Sequence, residues 1–168
     1  SELQVVLDNL IYLRHETSVW FEITTLLIPD ENDSAAEIDN MCRWIVDNLG
    51  VDVPLHFTAF HPDYKMRDKP RTPLHTLLQA YHIAKEHGIR HVYTGNVHHL
   101  PTASTYCHAC GECIIARDWY QLGRYSLTDD GHCNYCGARC SGVFSGPAGD
   151  WGRKRMPIKI TQGPTDTS

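Results

Sequence analysis

The chain has 168 residues, 42% of them hydrophobic, which is enough to bury one core and to carry a small additional unit. Its net charge of −5 at pH 7 argues against a general nucleic-acid-binding protein, because such proteins attract phosphates with an excess of positive charge. No signal peptide and no long apolar span is recognisable, so we expect a cytoplasmic protein that has no membrane partner and keeps its cysteines reduced.

The first part of the chain alternates between helix and strand patterns. Apolar residues recur at helical spacing over 3–13, which predicts an opening helix. The β-branched and aromatic run at 19–28 then predicts a buried strand. Ser34 and Glu37 form a capping box that starts a second helix, and Gly50 supplies its end.

The same alternation repeats further along the chain. A strand is predicted at 53–60, a helix begins after Thr72 and ends at Gly88, and another strand is predicted at 91–94. Alternation of this kind produces parallel strands covered by helices. Ligands of such sheets bind at the carboxyl ends of the strands, which here are residues 27–30, 60–64 and 95–99.

A cysteine-rich region begins where this periodicity ends, after residue 101. Cys107 and Cys110 are separated by two residues, and Cys133 and Cys136 repeat that spacing. Two such pairs can supply four thiolates to one ion, and the glycine after each pair allows a tight turn around it. The sequence therefore predicts a zinc-ribbon-like site formed by these four cysteines.

Two further cysteines leave other interpretations open. Cys113 and Cys140 extend the pairs to six thiols, and a Cys-x2-Cys-x2-Cys run also occurs in iron–sulfur proteins. Each also stands near apolar residues, where a thiol behaves as a small hydrophobe. Cys42 lies on the apolar face of the second predicted helix, which indicates a core residue. Structural zinc is the favoured interpretation, an iron–sulfur cluster is the second, and disulfides or free thiols are the third.

These patterns divide the chain into three parts. We expect β/α units at 1–101, a four-cysteine subdomain at 102–146 and a tail at 147–168. Three parallel strands make a marginal domain by themselves, so the first part is expected to belong to a larger sheet.

Several separated segments resemble one enzyme family. The segments are Trp20–Asp33, His56–Tyr64, Tyr93–His98 and the four-cysteine block. Together they resemble the C-terminal half of the radical SAM enzymes related to pyruvate formate-lyase activating enzyme, in particular the subgroup of the AmmeMemoRadiSam system. The resemblance covers roughly residues 3–160.

The resemblance implies both a fold and a chemistry. The fold is the C-terminal part of a partial (β/α)6 radical SAM barrel, followed by the zinc-ribbon-like β subdomain. The family binds S-adenosylmethionine at a [4Fe–4S] cluster and cleaves it to a 5′-deoxyadenosyl radical, which abstracts hydrogen from a substrate such as a protein. The family's Cys-x3-Cys-x2-Cys motif does not occur here. We therefore expect the N-terminal half of the barrel to be a missing partner and the isolated chain to be catalytically incomplete.

Three residues are candidates for cofactor binding. His61 follows the second predicted strand and is similar in position to a histidine that activating enzymes place near S-adenosylmethionine, although a histidine that caps the turn before Pro62 fits equally. Glu22 interrupts an apolar strand, and because a buried carboxylate needs a partner, we expect it to face a polar lumen or to pair with Arg14. Asn96 directly follows the third strand, at the end where ligands bind.

A second function fits the same sequence. A zinc ribbon on an α/β scaffold can be a non-catalytic binding module that recruits a protein partner. Aromatic residues of the ribbon and tail are candidates for a recognition surface, but a small ribbon also needs aromatics to cover its metal. We therefore predict core packing for Trp119, Tyr120, Tyr125, Phe144 and Trp151.

Overall fold

The computed structural model describes residues 2–144 and residue 146. Its elements, in chain order, are α1 (Leu3–Glu16), β1 (Ile23–Leu27), α2 (Ala35–Leu49), β2 (Leu55–Ala59), α3 (Leu74–Glu86), β3 (Val92–Gly95), α4 (Leu100–Ala103), β4 (Thr105–Tyr106), β5 (Cys113–Asp118) and β6 (Gln121–Tyr125). The tail expected at 147–168 lies outside the described residues. The described chain has a mixed α/β fold with one parallel and one antiparallel sheet.

The parallel sheet forms the framework of the first part of the chain. Its strands lie in the order β1-β2-β3, with Thr25 opposite Phe57 and Phe57 opposite Thr94. α2 connects β1 to β2 and α3 connects β2 to β3, which is the parallel arrangement that the alternating pattern predicted. The three strands form an open sheet, and residues 2–144 contain no closed barrel.

Helices cover one face of this sheet. α2 and α3 pack on strand residues that include Leu55, Phe57 and Val92, each at most 3% exposed. Cys42 of α2 is fully buried in the same core, as predicted. Because successive strand residues point to opposite faces, the residues between these apolar ones face away from the helices. That second face carries polar side chains such as His56 and Thr58, which are only half-buried.

The helix limits follow the predicted signals. The Ser34 hydroxyl accepts a hydrogen bond from the Glu37 N–H at 3.3 Å and donates to the Glu37 carboxylate at 2.7 Å, which completes the capping box. Gly50 ends α2 with a φ of 84°. Thr72, before α3, donates its hydroxyl to the carbonyl of Leu27 at 2.6 Å and so ties the helix entry to β1. No helix in the described part of the chain combines the length and apolar character needed to cross a membrane.

β1 is shorter than the strand predicted at 19–28. The Ile23 N–H donates to the carbonyl of Pro54 at 2.9 Å, and the ladder begins there. Pro54 has no N–H to return, so the pairing with β2 cannot extend towards Trp20. The Trp20 side chain is accordingly 40% exposed.

The cysteine-rich part forms the antiparallel sheet, in the order β4-β5-β6. Ile114, Ile115 and Leu127 form its small core together with three of the cysteines. Tyr125 and Phe144 pack against this core, as predicted for these two aromatics.

Two other aromatics do not pack as predicted. Trp119 and Tyr120 are 55% and 62% exposed, so their predicted core packing is wrong. They form the two-residue turn between β5 and β6, and neither is among the described residues that pack against the ribbon core. Trp151 lies outside the described residues.

The short helix α4 joins the two sheets and lies across the boundary expected at 101/102. The hydroxyls of Thr94 in β3 and Thr102 in α4 are hydrogen-bonded to each other. The Tyr93 hydroxyl shares a hydrogen bond of 2.8 Å with the Thr105 hydroxyl of β4. The ribbon is therefore held against the last strand of the parallel sheet.

Candidate metal centre and adjoining cleft

The two cysteine pairs have the same local backbone. The Gly111 N–H donates to the Cys107 carbonyl at 2.9 Å, and the Gly137 N–H donates to the Cys133 carbonyl at 2.8 Å. In both pairs the N–H of the first cysteine donates to the carbonyl five residues later, at 2.9 Å. Gly111 and Gly137 have φ angles of 78° and 75°, which glycine adopts without strain. The sequence thus folds both pairs into equivalent turns.

The four predicted metal ligands come together in a cage of sulfurs. The Sγ atoms of Cys107, Cys110, Cys133 and Cys136 all lie within 4.8 Å of one another, with Cys107 and Cys136 at 3.6 Å and Cys110 and Cys133 at 3.8 Å. Zn–S bonds of about 2.3 Å separate the sulfurs of a tetrahedral site by about 3.8 Å. The cage therefore fits one ion. It does not fit a [4Fe–4S] cluster, whose cysteines bind separate irons and lie farther apart.

The backbone prepares one of these thiols to bind a cation. Burial opposes ionisation of Cys107, but hydrogen bonds from the backbone of Cys110 and Ala109 stabilise its thiolate and bring its pKa down to about 7. The backbone of Glu112 also favours the Cys110 thiolate, yet burial and the neighbouring thiols outweigh this and raise its pKa to about 12. One thiolate forms readily, and a second needs a cation to offset the repulsion between them.

The remaining cysteines lie outside the cage. Cys42 belongs to the core under α2, and Cys113 starts β5. The Cys140 thiol is buried, with its Sγ 3.9 Å from Nε2 of His91. Burial raises the pKa of Cys140 to about 11 and lowers the pKa of His91 to about 4, so both are neutral near pH 7. Of the six thiols in the cysteine-rich region, four therefore converge, Cys140 packs in the ribbon core, and Cys113 lies outside the cage and is partly buried.

A cleft of about 460 Å³ lies between the polar face of the parallel sheet and the β5-β6 hairpin. The sheet side contributes Glu22, His56 and Tyr93, and the hairpin contributes Arg117 and Trp119. The volume is in the range of small-molecule sites. Both parts of the chain are needed to form this cleft.

Glu22 and His56 form the polar pair on the sheet side. One carboxylate oxygen of Glu22 accepts from Nε2 of His56 at 2.7 Å, and the other accepts from the Trp20 indole at 3.2 Å. The hydrogen bond from His56 outweighs the effect of burial and lowers the pKa of Glu22. The His56 ring stacks on Tyr93, with 4.9 Å between centroids. Arg14, the alternative partner predicted for Glu22, donates instead to the last carbonyl of α2 at 2.8 Å.

The hairpin side carries a permanent cation and an aromatic rim. The Arg117 guanidinium lies 5.5 Å from the centroid of the Tyr93 ring. At the rim His98 pairs with the Asp118 carboxylate at 2.9 Å and stacks on Trp119, with the two rings 7° from parallel. These contacts join the loop after β3 to the tip of the hairpin.

Two of the three residues predicted to bind a cofactor line this cleft. Glu22 and Asn96 are among its lining residues, and the Asn96 amide donates to the carbonyl of Ala59 at 3.1 Å. His61 lies apart, on an exposed loop where its Nδ1 is 3.1 Å from the carbonyl of Pro62. The cofactor roles of all three stay predictions.

The sequence patterns do not single out His56 or Arg117, and they predict core packing for Trp119 instead of a place in this cleft. The pattern of β2 could have predicted the position of His56. It lies between the buried Leu55 and Phe57, and alternation along a strand places it on the opposite face, with other polar residues. Arg117 and Trp119 carry no such signal, since only the packing of the ribbon on β3 brings them to the sheet.

Fold and site together define a mixed α/β protein with a four-cysteine site that can bind one metal ion. The chain is 37% identical over 128 residues to an uncharacterized protein, MJ0808, of Methanocaldococcus jannaschii. The alignment covers 76% of this chain, and the chain spans 38% of the length of that relative. No family model matches the chain. No solved structure matches it.

Proposed function

We propose that the four-cysteine cage holds a structural zinc ion. Four protein ligands close the coordination shell and leave no position for a substrate, which is typical of structural zinc. The test is the metal and acid-labile sulfide content of anaerobically purified protein, together with its ultraviolet–visible spectrum. One zinc per chain without sulfide supports the proposal, and iron with sulfide and a broad visible absorption contradicts it.

We further propose that the chain is a portion of a radical SAM enzyme related to pyruvate formate-lyase activating enzyme. The observation that carries this proposal is the order of the parallel strands, which follow one another in sequence with helices on one face. Consecutive units of a β/α barrel have this arrangement, whereas a doubly wound sheet reverses its strand order and covers both faces. The polar second face then corresponds to a barrel lumen.

The free edge of the sheet supports the same proposal. Among the described residues β1 pairs only with β2, and Trp20 and Leu26 beside that edge are 40% and 42% exposed. An unprotected edge strand of this kind is suited to pairing with a further strand. The relative that aligns with this chain is long enough to contain further β/α units, because the chain spans 38% of it.

In this proposal a [4Fe–4S] cluster would supply the electron that cleaves S-adenosylmethionine to methionine and a 5′-deoxyadenosyl radical. The cysteines of this chain do not fit that cluster, so we assign it to protein outside the chain. The residues described here form one wall of the reaction chamber. Glu22 and His56 present a fixed carboxylate–imidazole pair, and the hairpin narrows the cleft and limits the access of water.

The test uses the full-length enzyme. Its coding sequence should contain a Cys-x3-Cys-x2-Cys motif upstream of Ser1, and the reduced, reconstituted protein should convert S-adenosylmethionine to 5′-deoxyadenosine, measured by chromatography. The isolated chain should form none. The control is the full-length enzyme with the three upstream cysteines changed to alanine. A full-length protein that lacks the motif, or that has it and forms no 5′-deoxyadenosine, contradicts the proposal.

A non-catalytic binding module is the second candidate. It is favoured by the exposed apolar surface of the ribbon, where Tyr120, Leu122 and Tyr135 are 62%, 46% and 49% exposed. A full-length protein that contains zinc, no cluster and no 5′-deoxyadenosine activity supports this alternative.

A further inference from the structure

We propose that the cleft binds a small planar anion, meaning a ring system that carries a carboxylate or a phosphate. Arg117 binds the anionic group and Trp119 stacks on the ring, so the ribbon determines the specificity of a site whose floor is the parallel sheet. These residues all belong to this chain. The proposal therefore goes beyond the radical SAM assignment and does not depend on it.

Arg117 provides the donors for the anion. One end of its guanidinium is fixed, because Nη1 donates to the Thr105 hydroxyl at 2.5 Å and to the carbonyl of Ala103 at 3.4 Å. The Nε and Nη2 groups have no hydrogen-bond partner among residues 2–144 and 146. A guanidinium that is held in place with unused N–H groups is suited to bidentate binding of a carboxylate or a phosphate.

The carboxylate on the opposite wall already has partners within the protein. Both carboxylate oxygens of Glu22 already accept hydrogen bonds, one from His56 at 2.7 Å and one from Trp20 at 3.2 Å. The N–H groups of Arg117 that have no partner among the described residues therefore favour an anion on the hairpin side of the cleft. The charge of Glu22 should nevertheless weaken the binding of that anion, because like charges repel across the cleft.

Trp119 provides the stacking surface. It occupies the first position of the two-residue turn between β5 and β6 and has a φ of 52°. Such positions favour glycine or asparagine, and a bulky residue there stores strain that is characteristic of functional sites. The indole stacks on His98 at 5.9 Å between centroids and is still 55% exposed, so room remains for a ligand ring.

The first experiment is isothermal titration calorimetry of the zinc-loaded chain with four probes. Adenosine 5′-monophosphate and indole-3-acetate each combine a ring with an anion, whereas adenosine lacks the anion and inorganic phosphate lacks the ring. We expect the two complete probes to bind at least about tenfold more tightly than the two incomplete ones. Comparison of the complete probes distinguishes a phosphate ligand from a carboxylate ligand.

Three variants test the roles of the residues, each after its zinc content has been verified. Arg117→Gln should weaken binding of the better complete probe at least about tenfold, and Trp119→Leu should weaken it about fivefold. Glu22→Gln should strengthen it about two- to fivefold, because a repelling charge is removed. A merely structural role of Glu22 would not raise the affinity. Tyr12→Ala, on the exposed side of α1, is the control and should leave the affinity unchanged.

Several outcomes overturn the proposal. They are failure of all four probes to bind, equal affinity for all four, and full affinity in the zinc-loaded Arg117→Gln and Trp119→Leu variants. Formation of 5′-deoxyadenosine by the full-length enzyme is measured separately, so failure of one proposal is distinguishable from failure of the other.

Discussion

The parallel sheet and the ribbon are stabilised in different ways. In the described part of the chain, fourteen buried side chains form one continuous core between the sheet and its helices. The ribbon core has six, and three of these are cysteines. Because apolar burial must offset the conformational entropy of the chain, a core as small as that of the ribbon is insufficient by itself. We therefore expect the ribbon to depend on its metal ion and the sheet to depend on hydrophobic packing.

Removal of one metal ligand should have the largest effect, because it should unfold the ribbon and leave the parallel sheet folded. Cys133→Ser changes a ligand that is 2% exposed, and structural zinc contributes on the order of 10 kcal/mol to the folding of small metal domains. We expect this variant to lose zinc and its ribbon to become sensitive to trypsin, while the helices of the sheet persist. Metal analysis, limited digestion with mass spectrometry and far-ultraviolet circular dichroism check these outcomes.

Cys113→Ser is the matched control for this experiment, because Cys113 lies in the same ribbon but outside the cage. It should retain one zinc per chain and the resistance to trypsin. Loss of zinc from Cys113→Ser, or an intact ribbon in Cys133→Ser, would contradict the assignment of the four ligands.

A core substitution in the sheet should have the opposite effect: it should destabilise the sheet and leave the metal site of the ribbon intact. Phe57 is fully buried in the central strand, so Phe57→Ala should lower the free energy of unfolding by about 3–5 kcal/mol. Urea denaturation measures this change, and the zinc content should stay at one per chain. Phe57→Leu is a milder variant for the case in which Phe57→Ala does not fold. A loss of zinc from folded Phe57→Leu would show that the two regions are not independent.

The features that the sequence predicts well depend on neighbouring residues. The Ser34–Glu37 capping box and the stop at Gly50 define α2 within a few residues of each end, and the structure confirms both limits. The spacing of the cysteine pairs is local in the same sense. Each turn is closed by hydrogen bonds within six residues, so two equivalent turns can be predicted before their relative position is known.

The features that the sequence predicts poorly depend on distant parts of the chain. The limit of β1 is set by Pro54 on the neighbouring strand, which the pattern at 19–28 does not include. The exposure of Trp119 depends on the position of the hairpin tip rather than on hydrophobicity. The cleft depends on two residues that are far apart in sequence, Glu22 and Arg117. Arg117 is held on its side of the cleft by a hydrogen bond to the carbonyl of Ala103 in α4.

A smaller effect is expected on the polar face of the parallel sheet, where two of its strands approach each other closely. Gly95 lies opposite Thr58 on the polar face, and a Cβ at Gly95 would be 2.8 Å from Cγ2 of Thr58. Gly95→Ala should therefore lower the free energy of unfolding by about 1–2 kcal/mol. Thr58→Ser removes the clashing methyl group. In that background Gly95→Ala should leave the free energy of unfolding unchanged or raise it by roughly a few tenths of a kcal/mol. Urea denaturation of the four proteins measures the coupling, and an equal cost in both backgrounds would rule out the steric explanation.

The smallest effect concerns the charge pair on the polar face. The hydrogen bond from His56 lowers the pKa of Glu22 from its ordinary value of 4.5, so the carboxylate contributes stability above that pH and loses it as the pH falls through the lowered pKa. The side chain is 44% exposed, which limits the contribution to below about 1 kcal/mol. The free energy of unfolding should therefore differ between the wild-type protein and Glu22→Gln near neutral pH and converge below pH 4.5. Urea denaturation at several pH values measures this difference.

His56→Gln supplies the control, because it removes the partner and leaves the carboxylate in place. In that background Glu22→Gln should change the free energy of unfolding much less, at every pH, since the pKa of Glu22 is then no longer held down by the imidazole. A difference between wild type and Glu22→Gln that persists unchanged at about pH 3 would assign the effect of Glu22 to packing instead of charge. In that case the Glu22–His56 pair would contribute no pH-dependent stability to the parallel sheet. The difference between the sheet and the ribbon would then lie in how their cores are stabilised.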